Sequence, residues 1–131
     1  MKMNEEVMVK VIDVISHYYG VDPFRKTNEP RFTECRYAIW YFLRYKIDIP
    51  YTLTAIANKF NKDHTTISAG IVRLECLLKY EKNKQVEMKG IERLLFNAFI
   101  ISECNLVNVQ RTLIVHNGDK IYVRKIRMAA A

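Results

Sequence analysis

The sequence predicts a mostly helical domain with an added C-terminal helix and a β-hairpin. Three observations carry this expectation. Apolar residues recur at three- and four-residue spacing through most of the first hundred positions, half of all residues are hydrophobic, and only four of the 131 are glycine. At this length one compact domain, or a domain with a small appendage, is expected, and a large multidomain enzyme is excluded.

Residues 5 to 19 set Val7, Met8, Val11, Ile12, Val14, Ile15, Tyr18 and Tyr19 at helical spacing. Asn4 is the expected N-cap, Glu5 and Glu6 oppose the positive end of the dipole, and Gly20 supplies the left-handed stop. Asp22-Pro23 starts a short second turn or helix. After the break at Thr27-Asn28-Glu29-Pro30, a third helix is expected from Arg31 to Lys46, with Phe32, Cys35, Ala38, Ile39, Phe42 and Leu43 on its core side. Ile49-Pro50 ends it.

Thr52 caps a short helix holding Leu53, Ile56, Ala57 and Phe60. Asn61-Lys62 forms a tight turn in which Asn tolerates positive φ, and Asp63 caps a helix running through Ile67, Ile71, Leu74, Leu77 and Leu78 to about Tyr80. Short helix, tight turn and capped helix make a helix-turn-helix arrangement. After Glu81-Lys82-Asn83-Lys84-Gln85, a helix over about Val86 to Glu103 exposes more apolar surface than one core stripe needs, through Ile91, Leu94, Leu95, Ala98, Phe99 and Ile101. Arg111 to His116 and Asp119 to Ile126 flank Asn117-Gly118, a strong hairpin signal, and Ala129-Ala130-Ala131 is expected to be a disordered end. The expected division is 1–84, a DNA-binding domain, and 85–131, an appendage.

The balance of 21 Lys and Arg against 14 Asp and Glu gives +7, which suits a polyanionic partner. No segment is a dense basic arm, so affinity has to come from placement. Cys35, Cys76 and Cys104 match neither a disulfide framework nor metal-ligand spacing and are expected as buried thiols. No apolar run is long enough for a membrane span and the first residues do not form a signal peptide, so a cytoplasmic location is expected. No phosphate-cradling GxxxxGK[ST] stretch, HExxH spacing or cysteine pair supports a nucleotide, a cofactor, a metal or catalysis.

The residues suited to chemistry stand at one helix start, where a protein can present side chains to the floor of a DNA major groove. His64 can donate to guanine O6 or N7 or meet a thymine methyl, Thr65 and Thr66 combine a hydroxyl with a methyl, and Asp63 can accept from cytosine N4. The plainer readings are an N-cap for Asp63, a surface histidine for His64 and a core-facing Thr66.

Here the chain resembles the C-terminal DNA-binding domain of the bacterial replication initiator DnaA. The family's signature is a short helix, a turn and a basic residue before Asp-His-Thr-Thr and a helix. Leu53 to Leu78 reproduces it, with Lys62 before Asp63-His64-Thr65-Thr66. His17-Tyr18-Tyr19-Gly20-Val21-Asp22-Pro23 is similar to the close of the family's first helix and the start of its second, and Cys35 to Arg44 resembles its long third helix, so the resemblance covers about residues 5 to 80.

It implies base contacts by Asp63, His64, Thr65 and Thr66, and phosphate contacts by Lys62 and Arg73, which are otherwise plain solvated side chains. The family's basic loop before the third helix, which places an arginine in the minor groove, is depleted here to Arg25, Lys26 and Arg31. The turn before Asp63 is shorter and lacks the family's glycine pair, and Ile47 to Tyr51 is longer, so the family's target sequence is not carried over. The family's ATPase module is not in this sequence.

The expected function is therefore sequence-specific binding of double-stranded DNA, as a regulator or an accessory replication or mobile-element factor, with a homodimer formed through residues 86–126. The rival is a protein–protein interaction module on the same fold that has lost DNA binding and docks a partner through the helix 86 to 101.

Overall fold

The structure is a computed structural model that describes residues 2–47, 50–104, 110–117 and 120–127, with side chains described for 5–47 and 50–99. The chain is mostly helical. α1 (Lys2–Tyr19) is followed by α2 (Pro30–Tyr41), whose last turn widens to π-helical spacing over Phe42–Lys46. Then come α3 (Leu53–Phe60), α4 (His64–Tyr80), α5 (Lys82–Cys104) and the strands β1 (Gln110–Asn117) and β2 (Lys120–Arg127).

α1 begins before Asn4, so Asn4 lies inside the first turn and is not the N-cap expected from the sequence. The other end follows the expectation: Gly20 takes φ +71°, and the N–H groups of Gly20 and Val21 both donate to the Ser16 carbonyl, at 2.8 and 3.2 Å. Asp22-Pro23 makes a turn and no helix. The Phe24 N–H donates to Asp22 Oδ1 (3.0 Å) and the Arg25 N–H to the Asp22 carbonyl (3.2 Å), closing a local turn.

α2 is the central helix, packed against α1 on one side and α4 on the other. Cys35, Ala38, Ile39, Trp40, Phe42 and Leu43 are buried, whereas Phe32, expected in the core, is half-buried. Ile47 follows the π-helical turn in extended conformation and is buried; Ile49, expected to help end the helix, lies outside the described residues. Gly70 of α4 faces α2 so closely that a Cβ there would stand 2.7 Å from ring atoms of Trp40 and Tyr37.

Only Glu81 interrupts the chain between α4 and α5, where a break of five residues was expected. Gln85 explains the sharp junction: its N–H donates to the Glu81 carbonyl (3.2 Å) and its side-chain amide to the Leu78 carbonyl (2.6 Å). The boundary at 84/85 lies inside α5, whose Met88, Ile91, Leu95 and Phe99 share one core with α1, α2 and α4. Lys84 is buried at 3.0 Å from Glu87 and 3.6 Å from Glu34, and the Tyr19 hydroxyl donates to Glu87, fastening the end of α1 to the start of α5. Burial, and then the Glu87 carboxylate, push the Tyr19 hydroxyl well above the usual tyrosine range.

β1 and β2 form an antiparallel pair with Asn117 opposite Lys120 and Gln110 opposite Arg127; β1 runs one residue beyond each expected limit, and β2 one residue beyond its expected end. Their backbone lies against α5, and β2 also reaches the π-helical turn. Gly118, Asp119 and the terminal alanines lie outside the described residues. Of the cysteines, Cys35 is buried but Cys76 is exposed, correcting the expectation for it, and the Cys104 side chain lies outside the described set. Among the described residues no helix is long and apolar enough to cross a membrane.

Candidate nucleic-acid interface

The turn between α3 and α4 is built from residues suited to it. Thr52 caps α3 by accepting from the Ala55 N–H (3.0 Å). Asn61 stops the helix in the left-handed region at φ 54°, ψ 49°, a conformation that asparagine adopts more readily than most residues. The N–H groups of Asn61 and Lys62 then donate back to Asn58 (3.3 Å) and Ala57 (2.9 Å). With the end of α3 closed in this way, Lys62 is left exposed in the turn.

Asp63 occupies the N-cap position of α4 with extended backbone, and its carbonyl accepts from the Thr66 and Ile67 N–H groups at 3.0 and 3.3 Å. Its carboxylate, however, makes no side-chain cap hydrogen bond, which corrects the plain capping expectation. The Thr65 hydroxyl donates to Oδ2 at 2.8 Å, and His64 Nδ1 stands 3.1 Å from Oδ1. The bond from Thr65 is the main reason the Asp63 carboxyl sits below the usual carboxylate range, and the His64 imidazole adds to it. Asp63, His64, Thr65 and Thr66 are all exposed, so Thr66 does not face the core. Arg73 is exposed further along the same helix.

Arg25 and Lys26 lie on the loop between α1 and α2, which regular structure does not hold. Arg36 does. This side chain is only 7% exposed, and its guanidinium donates to the carbonyls of Pro23 (3.3 Å), Arg25 (3.2 Å) and Thr27 (2.7 Å) and to the Thr33 hydroxyl (3.5 Å). Phe24 stacks on Phe60, the last residue of α3, with ring centroids 4.7 Å apart and planes inclined by 23°. The Arg25 guanidinium lies 5.9 Å from the centre of the Phe32 ring.

These contacts leave a hollow of about 520 Å³, with Phe24, Arg25 and Lys26 on the loop side and Lys59, Asn61 and Lys62 on the side of α3 and its turn. None of its lining residues is a carboxylate, but Lys59 is paired with Glu5 of α1, Nζ to Oε1 3.5 Å. The structure thus brings Arg25 and Lys26 to Lys62. Arg31 is placed otherwise: its Nε donates to the Tyr19 carbonyl at 2.6 Å, closing α1, and it does not line the hollow.

Phe24, Arg36 and Lys59 were not singled out from the sequence as part of this site. Arg36 had a legible signal, because it stands three and four residues before Ile39 and Trp40 on a buried stripe, and a charge there must find oxygen partners. Among the described residues no group of three or more His, Cys, Asp or Glu is placed to hold a metal ion. Comparison with family models, with curated proteins and with solved structures finds no match to this chain.

Proposed function

We propose that the chain is a DnaA-like, sequence-specific binder of double-stranded DNA, with α3, the turn and α4 acting as a helix-turn-helix. The observation that carries this reading is the exposure of Asp63, His64, Thr65 and Thr66 together at the start of a 17-residue helix, beside a hollow lined with basic side chains. In this reading α4 enters the major groove. Lys62, Arg73, Arg25 and Lys26 contact phosphates, and the second and third guanidinium nitrogens of Arg31 remain available for the same purpose.

The hydrogen bond from Thr65 to Asp63 refines the base-reading roles. A Thr65 hydroxyl that donates to Asp63 keeps its lone pairs for a base amino group, and its methyl for thymine. If Nδ1 of His64 carries the proton shared with Asp63, a neutral ring offers Nε2 as an acceptor, and donation to guanine needs the imidazolium.

The test has two arms, run after selecting bound fragments from random duplexes. His64→Ala or Thr65→Ala is expected to lower affinity for the selected site by roughly 1–3 kcal/mol and to leave random duplex almost unchanged. Lys62→Ala or Arg73→Ala is expected to weaken both and to flatten the salt dependence by about one unit each. Equal losses on selected and random duplexes would remove the base-reading role of His64 and Thr65. Binding that does not weaken between low and moderate salt would favour the interaction-module reading instead.

A further inference from the structure

We propose that Arg36 and Phe24 are positioning residues for DNA binding. They lock the loop 23–27 onto the end of α3, so that Arg25 and Lys26 and, across the hollow, Lys62 take the same stretch of phosphate backbone. The inference rests on reading α3, the turn and α4 as a duplex-DNA interface.

Three features carry it. The Arg36 guanidinium spends its donors on three loop carbonyls and one hydroxyl, so it is buried as an organiser of the loop and cannot itself reach out to a phosphate. Its partners are neutral oxygens, so its full charge stays behind the hollow that it also lines. Phe24 is 46% exposed yet stacked on Phe60, so the loop is tied to the residue immediately before the Asn61 turn rather than to the deep core. Together the two contacts fix the loop at both levels: Arg36 sets its backbone path, and Phe24 sets its distance from the turn. A loop without them would have to order its backbone on each binding event, at a cost in conformational entropy for every residue fixed.

The experiment uses the full chain and a fluorescein-labelled random-sequence duplex, with anisotropy titrations from 50 to 200 mM salt and a thermal melt of each variant. Removing two phosphate contacts should flatten the plot of log affinity against log salt by nearly two units, since each contributes about 0.9. Arg25→Ala/Lys26→Ala is expected to do so directly. Phe24→Ala and Arg36→Gln, folded at the assay temperature, are expected to flatten the slope by a similar amount while leaving both lysines and Arg25 in place. Either one added to the double variant should flatten it no further. Arg36→Lys should not restore the slope, because an ammonium cannot reach three carbonyls as a guanidinium fork does.

A merely structural role would lower the melting temperature and leave the slope of the folded protein intact. If Arg36→Gln does not fold, Phe24→Ala decides, because an exposed ring can be removed without opening the core. A wild-type slope in Phe24→Ala beside a flattened slope in Arg25→Ala/Lys26→Ala would overturn the positioning role while DNA binding stands. Unchanged slope in the double variant would overturn it as well. Salt-independent binding by the wild-type chain would sink the DNA reading and this inference with it.

Discussion

Burial pushes the Cys35 thiol up to about 11, whereas Cys76 lies on the exposed side of α4. A thiol with a raised pKa is more stable in its protonated form in the folded chain. That contribution is fully present below the ordinary thiol value of about 9 and is lost as pH rises through about 11. Iodoacetamide at pH 8 is therefore expected to alkylate Cys76 in the native protein and to reach Cys35 only after unfolding, as read by peptide mass mapping. Equal rates at the two positions would contradict the burial difference. The sequence did not separate these cysteines because each stands beside charged residues within an apolar helical pattern, Cys35 between Glu34 and Arg36 and Cys76 after Glu75. Only the phase of α4 does so, since Cys76 stands about 200° around the helix from buried Leu74. Asn61 and Thr52, by contrast, were fully legible, because their roles depend on local backbone chemistry and not on what packs against them.

Between elements, α4 approaches α2 closely at Gly70, and here the usual preference for alanine over glycine in a helix should reverse. A methyl at Gly70 would come within 2.7 Å of the Trp40 and Tyr37 rings, and Trp40 is fully buried with no room to retreat. Gly70→Ala is expected to destabilise the fold by about 1–3 kcal/mol through overpacking. Gly90, exposed on α5 with nothing within 4 Å of an added Cβ, is the internal control. Gly90→Ala should stabilise by roughly 0.5–1 kcal/mol. Urea unfolding of the two variants would test both signs, and a Gly70→Ala as stable as wild type would mean that the α2–α4 contact yields.

The helices themselves were readable from spacing, but the distance between two of them was not, because a glycine inside an apolar stripe looks the same whether it faces a tryptophan or solvent. The loop before α2 escaped for a related reason. Its order comes from Arg36 and Phe60, which follow it by many residues, and no local pattern announces such contacts.

At the scale of the whole molecule, α5 decides how the chain can be divided and how a second copy could meet it. Met88, Ile91, Leu95 and Phe99 are buried in the common core, and at about 1.5–3 kcal/mol for each buried side chain they contribute roughly 6–12 kcal/mol. That is comparable to the whole stability of an ordinary domain, about 5–15 kcal/mol. A chain ending at Lys84 is therefore expected to lose cooperative unfolding, as followed by circular dichroism, and cannot serve as a monomeric reference for the homodimer expected from the sequence.

Substitutions on the outside of α5 can serve instead. Val86 and Leu94 are 66% and 43% exposed on either side of exposed Gly90, giving apolar surface that the core does not use. Sedimentation of the full chain at tens of micromolar is expected to show a dimer, and Val86→Glu/Leu94→Glu a folded monomer, because each carboxylate would have to be desolvated at the interface. Two recognition helices set about one DNA turn apart, roughly 34 Å, would then read a repeated or palindromic site, and the monomeric variant should bind only its half-site. A wild-type chain that sediments as a monomer would end the dimer expectation while leaving the proposed DNA binding by a single domain untouched.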